Sequence, residues 1–260
     1  MLNSLLKFLR YSNIENLPID SPERLQAHRD LMVKKTILRR VHRDFYKTFT
    51  PGLSQLIEGP KIELGSSGWS FLEEYVPDII KTDILTAPDI QLCISGLHFP
   101  FKDSSLSAIF LTNVLHHIPN AHDFFKEADR VLKPEGQIFM MEPHYSLWSS
   151  FIWKKFHHEP FDPEGEWHFT SSGPVSCANE ALPWIIFHRD IHIFKEKYSQ
   201  FDIFYKQTHT GFAFLSTGGL SYRSFIPTFL YPVMRMIDKV LSLLTQGASD
   251  SFETIILRKK

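Results

Sequence analysis

The sequence predicts an α/β fold, with a mostly parallel central sheet of about seven strands flanked by helices and carrying an inserted helical cap. Three observations predict it. Short apolar runs recur near 61–65, 79–84, 90–95, 107–112 and 137–142, with helical patterns near 69–76 and 121–132 between them. The stretch 144–200 is too long, and too rich in tryptophan, phenylalanine and histidine, to be a connecting loop. Beyond it, 201–209 and 252–258 read as strands on either side of a helix over 222–245.

Bulk properties narrow the function. A chain of 260 residues that is 43% hydrophobic buries one full core with insertions. A net charge of −1 leaves no basic surplus for phosphate backbones, so no nucleic-acid partner is expected. Cys93 and Cys177 form neither a disulfide framework nor a metal pattern, which suits a reducing, cytoplasmic setting. Residues 1–10 are apolar but interrupted by Lys7 and Arg10, and read as a short amphipathic helix rather than a signal peptide. No run reaches the ~18 apolar residues of a membrane span.

Residues 1–55 read as an N-terminal helical segment. Leu31, Leu38, Val41, Phe45 and Phe49 fall at helical spacing within 22–49, and Lys34, Lys35, Arg39, Arg40, Arg43 and Lys47 take the other face. That face is either solvated or turned to an anionic substrate or lipid head group. The helix over 121–132 has Phe124, Phe125, Ala128, Val131 and Leu132 on its apolar side, Asn120 as N-cap, and Pro134 and Gly136 as its stop. In the 222–245 helix, Ile226, Phe229, Val233, Ile237, Val240 and Leu244 form a stripe expected to pack on the sheet or on a second copy of the chain. Pro227 and Pro232 would break or kink its first half.

Two segments carry a family resemblance. From Ala108 a β-rich run leads into Asn113 and His116-His117-Ile118-Pro119, then a helix, then Leu132-Lys133-Pro134-Glu135-Gly136 and a second apolar strand. Upstream, Lys61-Ile62-Glu63-Leu64-Gly65-Ser66-Ser67-Gly68-Trp69 has the pattern acidic-x-Gly between a strand and a helix. Over roughly 55–145 the chain resembles class I S-adenosylmethionine (SAM) dependent methyltransferases of the type 11 kind. The resemblance implies a Rossmann-like methyltransferase domain over 56–260, with a cap at 144–200 and a return to the core at 201–260. It also implies SAM as cofactor, S-adenosylhomocysteine as product, and methyl transfer as the activity.

A nucleotide-like cofactor in an open parallel sheet sits at the carboxyl ends of the strands. Glu63, Gly65, Ser66, Ser67 and Gly68 form the turn that lets the backbone approach it. Ser67 and Trp69 stand where the family's second and third glycines usually are. Asp83 follows Glu63 by twenty residues, at the end of a strand, and offers two oxygens to the ribose hydroxyls. Ser95 takes the place of the family's acid near the adenine, with Gly96 and Leu97 beside it. Asn113 is expected to touch both cofactor and acceptor, and His116 is the best general-base residue on that edge.

No metal is expected. His157-His158-Glu159 and Trp167-His168 lack the i, i+4 spacing of a helical zinc pair. Residues 153–188 resemble segments of methyltransferases from bacterial surface-polysaccharide and other biosynthetic gene sets, so the acceptor is expected to be a small molecule or a sugar- or lipid-linked one. Peripheral membrane contact and a homodimer stay open. The rival expectation is a non-catalytic, methyltransferase-like binding or scaffold protein, motivated by Ser67, Trp69 and Ser95.

Overall fold

A computed structural model describes residues 9–156, 159–171 and 173–260. The expected helix over 1–10 falls almost wholly outside them, as do His157 and His158. Seven strands form one sheet: β1 Lys61–Leu64, β2 Ile79–Asp83, β3 Leu92–Cys93, β4 Leu106–Thr112, β5 Leu132–Pro143, β6 Phe201–Thr210 and β7 Asp250–Lys259. Their order is β3-β2-β1-β4-β5-β7-β6. Strands β1 to β5 are parallel, and β7 runs against both β5 and β6.

The inner strands are apolar on both faces because both are covered. Ile62, Leu64, Ile109, Leu111, Ile138 and Met140 belong to one buried cluster, and Ala108, Phe110, Phe139 and Met141 to the other. Phe110 and Phe139 are partners in register, and their rings stack with centroids 4.3 Å apart. Helices α1 (Pro22–Lys34) and α2 (Thr36–Lys47) precede the sheet, and α3 (Ala121–Val131) links β4 to β5. Asn120 caps α3 as expected, its side chain accepting from the N–H groups of His122 and Asp123.

Three expectations change. The helix over 69–76 is only a turn of 3-10 helix, Leu72–Glu74. Ser67 and Gly68 both hold positive φ (55° and 65°), and Pro77 follows, so any helix is confined to the short stretch between them. The long helix starts at Tyr231, not Tyr222, because Pro227 stays extended and Pro232 fits only the first turn. Its apolar stripe does not pack on the sheet: Phe229, Val233, Val240 and Leu244 are exposed, whereas Tyr231 and Asp238 are buried.

The stretch 144–200 divides in two. Helix α4 (Leu147–Phe156) lends Ile152 and Trp153 to the wall of a large cavity. By contrast, Leu182–Trp184, the π-helical turn Ile185–Arg189 and helix α5 (Ile191–Lys197) form part of the core layer. Leu182, Ile186, Phe187 and Phe194 are fully buried there, with Phe194 edge-on to Phe125 at 5.3 Å. Helix α6 (Phe212–Thr217) and helix α7 (Tyr231–Thr245) complete the fold, the N–H groups of Phe212 and Ala213 donating to the Asp238 carboxylate. Among the described residues, no helix is long and apolar enough to cross a membrane.

Candidate active site

A cavity of about 750 Å³ lies at the carboxyl ends of the parallel strands. Gly65 follows β1, Asp83 ends β2, Ser95, Gly96 and Leu97 follow β3, and Asn113 follows β4; all line this one space. Its far wall comes from the N-terminal helices through Arg24, His28 and His42, and from helix α6 and the loop after it, through Phe214, Leu215 and residues 218–222 and 225. The N-terminal segment therefore closes the site that the sheet opens. Lys35 fixes this arrangement: its buried ammonium donates to the Gly219 and Tyr222 carbonyls at 2.6 and 2.5 Å. Burial brings its pKa down to about 8.

The turn after β1 is built for close approach. Gly65 has φ +70°, and a Cβ there would stand 2.5 Å from Val114 Cγ2. Ser67 takes the left-handed conformation that a glycine would take, at φ 55°, and its N–H donates to Asp83 Oδ2 at 2.8 Å. Asp83 Oδ1 accepts from the Leu85 N–H at 3.0 Å. Burial pushes the Asp83 carboxyl up, and the N–H groups of Leu85 and Ser67 pull against it. The carboxylate has more lone-pair sites than its backbone N–H partners fill. Trp69 also lines the cavity, its ring edge-on to His42 at 4.7 Å.

Not every expected residue reaches the cavity. Glu63, Ser66 and Gly68 stand behind the turn and are absent from the cavity wall. Glu63 is buried and accepts from Ser70 Oγ at 2.6 Å, and Ser70 in turn meets the Tyr46 hydroxyl at 3.1 Å. Burial raises the Glu63 pKa to about 7. A Cβ on Gly68 would meet the Pro88 carbonyl at 2.7 Å. These three residues shape the turn and do not front the cavity.

At the β4 end, Asn113 holds φ +56° and donates its N–H to the Met141 carbonyl at 2.8 Å, a sharp exit that turns the next residues over the sheet. Val114 and Leu115 donate their N–H groups to Glu142 Oε1 at 2.9 and 2.8 Å. Glu142 Oε2 lies 2.7 Å from His116 Nδ1, and Glu159 Oε2 lies 3.5 Å from His116 Nε2. Burial alone would lower the His116 pKa, but the two carboxylates outweigh it and raise it to about 10. The facing carboxylates of Glu142 and Glu159 thus favour the protonated form of His116. The pKa of His117 is lowered, by burial and by the neighbouring His116.

The sequence does not single out Glu142, and it offers Glu159 only within the run His157-His158-Glu159, which lacks metal-ligand spacing. Glu142 leaves one signal, a carboxylate closing an otherwise apolar strand. Glu159 comes from the segment after α4, and only folding brings it to His116.

The pieces fit an adenosine-bearing cofactor. The β1 turn has a glycine that tolerates no side chain, Asp83 fronts the cavity, and the Thr112 hydroxyl oxygen in the wall is out of solvent with no hydrogen-bond partner among the described residues.

The sequence model of a family described as a methyltransferase domain matches residues 75–140. No curated protein matches by sequence. Among solved structures, geranyl diphosphate C-methyltransferase from Streptomyces coelicolor A3(2), in complex with Mg2+, geranyl diphosphate and S-adenosyl-L-homocysteine, is 13% identical. The similarity covers 85% of this chain and 80% of that one, with a TM-score of 0.48. A protein from Galdieria sulphuraria assigned as a sarcosine dimethylglycine methyltransferase is 13% identical, over 85% of each chain, with a TM-score of 0.45. Neither likeness is high enough to carry a substrate to this chain. The methyltransferase-domain match at 75–140 lies within a sheet ordered β3-β2-β1-β4-β5-β7-β6 with β7 alone reversed, and it supports the resemblance to S-adenosylmethionine-dependent methyltransferases.

Proposed function

We propose that the chain methylates a small-molecule or sugar- or lipid-linked acceptor held in the same cavity as SAM. The observation that carries this reading is the continuity of that cavity. Gly65, Ser67, Asp83 and Ser95 to Leu97 line it over β1, β2 and β3, and Asn113, His116, His117 and Glu159 line it after β4 and from the segment beyond α4. In this reading Asp83 takes the ribose hydroxyls, the Gly65 turn passes the methionine part, and Gly96 and Leu97 flank the adenine. Asn113 orients the acceptor, and His116, fixed by Glu142, is a positioning residue. When bound, SAM supplies a methyl group on a sulfonium, so transfer asks for alignment more than for acid–base work.

The wall opposite the sheet mixes apolar Ile19, Leu25, Leu38 and Phe225 with polar Arg24 and His28. That mixture favours an acceptor with an apolar body and one polar end. A closed wall of this kind suits a compact acceptor better than a folded macromolecule.

Calorimetric titration of SAM and S-adenosylhomocysteine into the purified protein tests the reading. Binding is expected, and Asp83→Ala should weaken it by about 1–3 kcal/mol, the cost of leaving buried partners unpaired. Absence of binding to folded protein would favour the non-catalytic scaffold reading. Binding indifferent to Asp83→Ala would mean the cofactor sits elsewhere.

A further inference from the structure

We infer that His116, His117 and Glu159 form a binding site for a divalent first-row transition ion in the wall of the cavity. Among the described residues, their ligand atoms all lie within 4.8 Å of one another. Glu159 Oε2 is 3.5 Å from His116 Nε2 and 3.8 Å from His117 Nε2. These separations exceed a good N–H···O hydrogen bond. They approach the spacing of ligand atoms around one tetrahedral ion, about 3.3 Å for bonds near 2.05 Å.

The rings are also held as metal ligands are held. A ligating histidine fixes its free nitrogen on a carboxylate or a backbone carbonyl. His116 Nδ1 meets Glu142 Oε2 at 2.7 Å, and His117 Nδ1 meets the Cys177 carbonyl at 2.9 Å. Both Nδ1 atoms are thus committed outward, and both Nε2 atoms are left turned to the same carboxylate. Glu142 is itself anchored by the Val114 and Leu115 N–H groups, so the support reaches back to the sheet.

A second cluster, His144, His188 and Glu253, makes the contrast. There His188 Nε2 sits 2.8 and 2.9 Å from the two Glu253 oxygens, His144 Nδ1 lies 3.6 Å from Glu253 Oε2, and none of the three lines the cavity. That cluster offers a bound ion no position open to the cavity. The His116–His117–Glu159 cluster fronts the cavity, so an ion with three protein ligands keeps a position open to it. Two imidazoles and one carboxylate suit zinc, iron, cobalt or nickel rather than magnesium or calcium. The open position would take a hydroxyl, carboxylate or phosphate oxygen of the acceptor. That last step rests on the methyl-transfer reading; metal binding does not.

The test uses tag-free protein, stripped with a chelator and dialysed, titrated with Zn2+ by calorimetry and with Co2+ by visible absorption. One ion per chain is expected, with an affinity about micromolar or tighter. Both Glu159→Gln and His117→Asn should weaken it about tenfold or more, and His188→Asn should leave it unchanged. Glu159→Gln keeps the side chain's size, and its S-adenosylhomocysteine titration separates loss of the metal site from failure of the methyl-transfer reading. No ion bound, wild-type affinity in either of the first two variants, or loss of binding in His188→Asn would overturn the assignment.

Discussion

The Ser67 N–H donates to Asp83 Oδ2 at 2.8 Å, tying the turn after β1 to the end of β2. The Leu85 N–H reaches the other oxygen at 3.0 Å, so one carboxylate holds two loops at the cavity's edge. A residue placed by the sequence as a ribose ligand is also the pin of its own site.

Asp83→Asn tests the pin without any ligand. The carboxamide keeps one acceptor oxygen and turns its NH2 toward the other N–H donor. Unfolding in urea should show a loss of about 1–3 kcal/mol. A stability equal to wild type would mean that the two loops do not lean on this carboxylate.

Glu63 should make stability fall as pH rises. Its carboxyl is buried, and its folded pKa of about 7 stands above the ordinary value of 4.5. Between those values the folded state binds more protons than the unfolded one, so stability present at low pH is lost as pH rises through about 7. The span amounts to something on the order of 3 kcal/mol. Glu63→Gln has no proton to lose and keeps an acceptor for Ser70. Wild type and variant should be close at acid pH, with the variant the more stable at alkaline pH. Unfolding curves that stay parallel across the range would refute this.

Phe194 belongs to the core layer, whereas Leu147 of α4 faces outward. It is fully buried against Phe125, Phe187 and Tyr198, with ring centroids 5.1 to 5.6 Å away. Phe194→Ala should cost about 3–5 kcal/mol. Leu147→Ala, at a side chain that is 81% exposed, should change stability by less than about 0.5 kcal/mol. Equal effects at the two positions would place 191–197 outside the core.

The sequence by itself determined the sheet, because strands buried on both faces must be apolar runs and their spacing leaves room for crossovers. It marked Gly65, Asp83, Ser95 and Asn113 through the family resemblance, to which the twenty-residue step from Glu63 to Asp83 added support. It also flagged the prolines that shorten the last helix. What it did not determine depends on contacts between distant segments. Glu159 lies far along the chain from His116, and no local pattern links them. Glu63 reads as part of the cofactor motif, but only packing shows that it turns away toward Ser70 and Tyr46. The protonation of His116 depends on two carboxylates from β5 and the segment beyond α4, and the cavity's far wall on helices that precede the sheet. Side-chain direction and burial are properties of the assembled layers, so the tertiary structure alone decided which residues face the site and in what charge state.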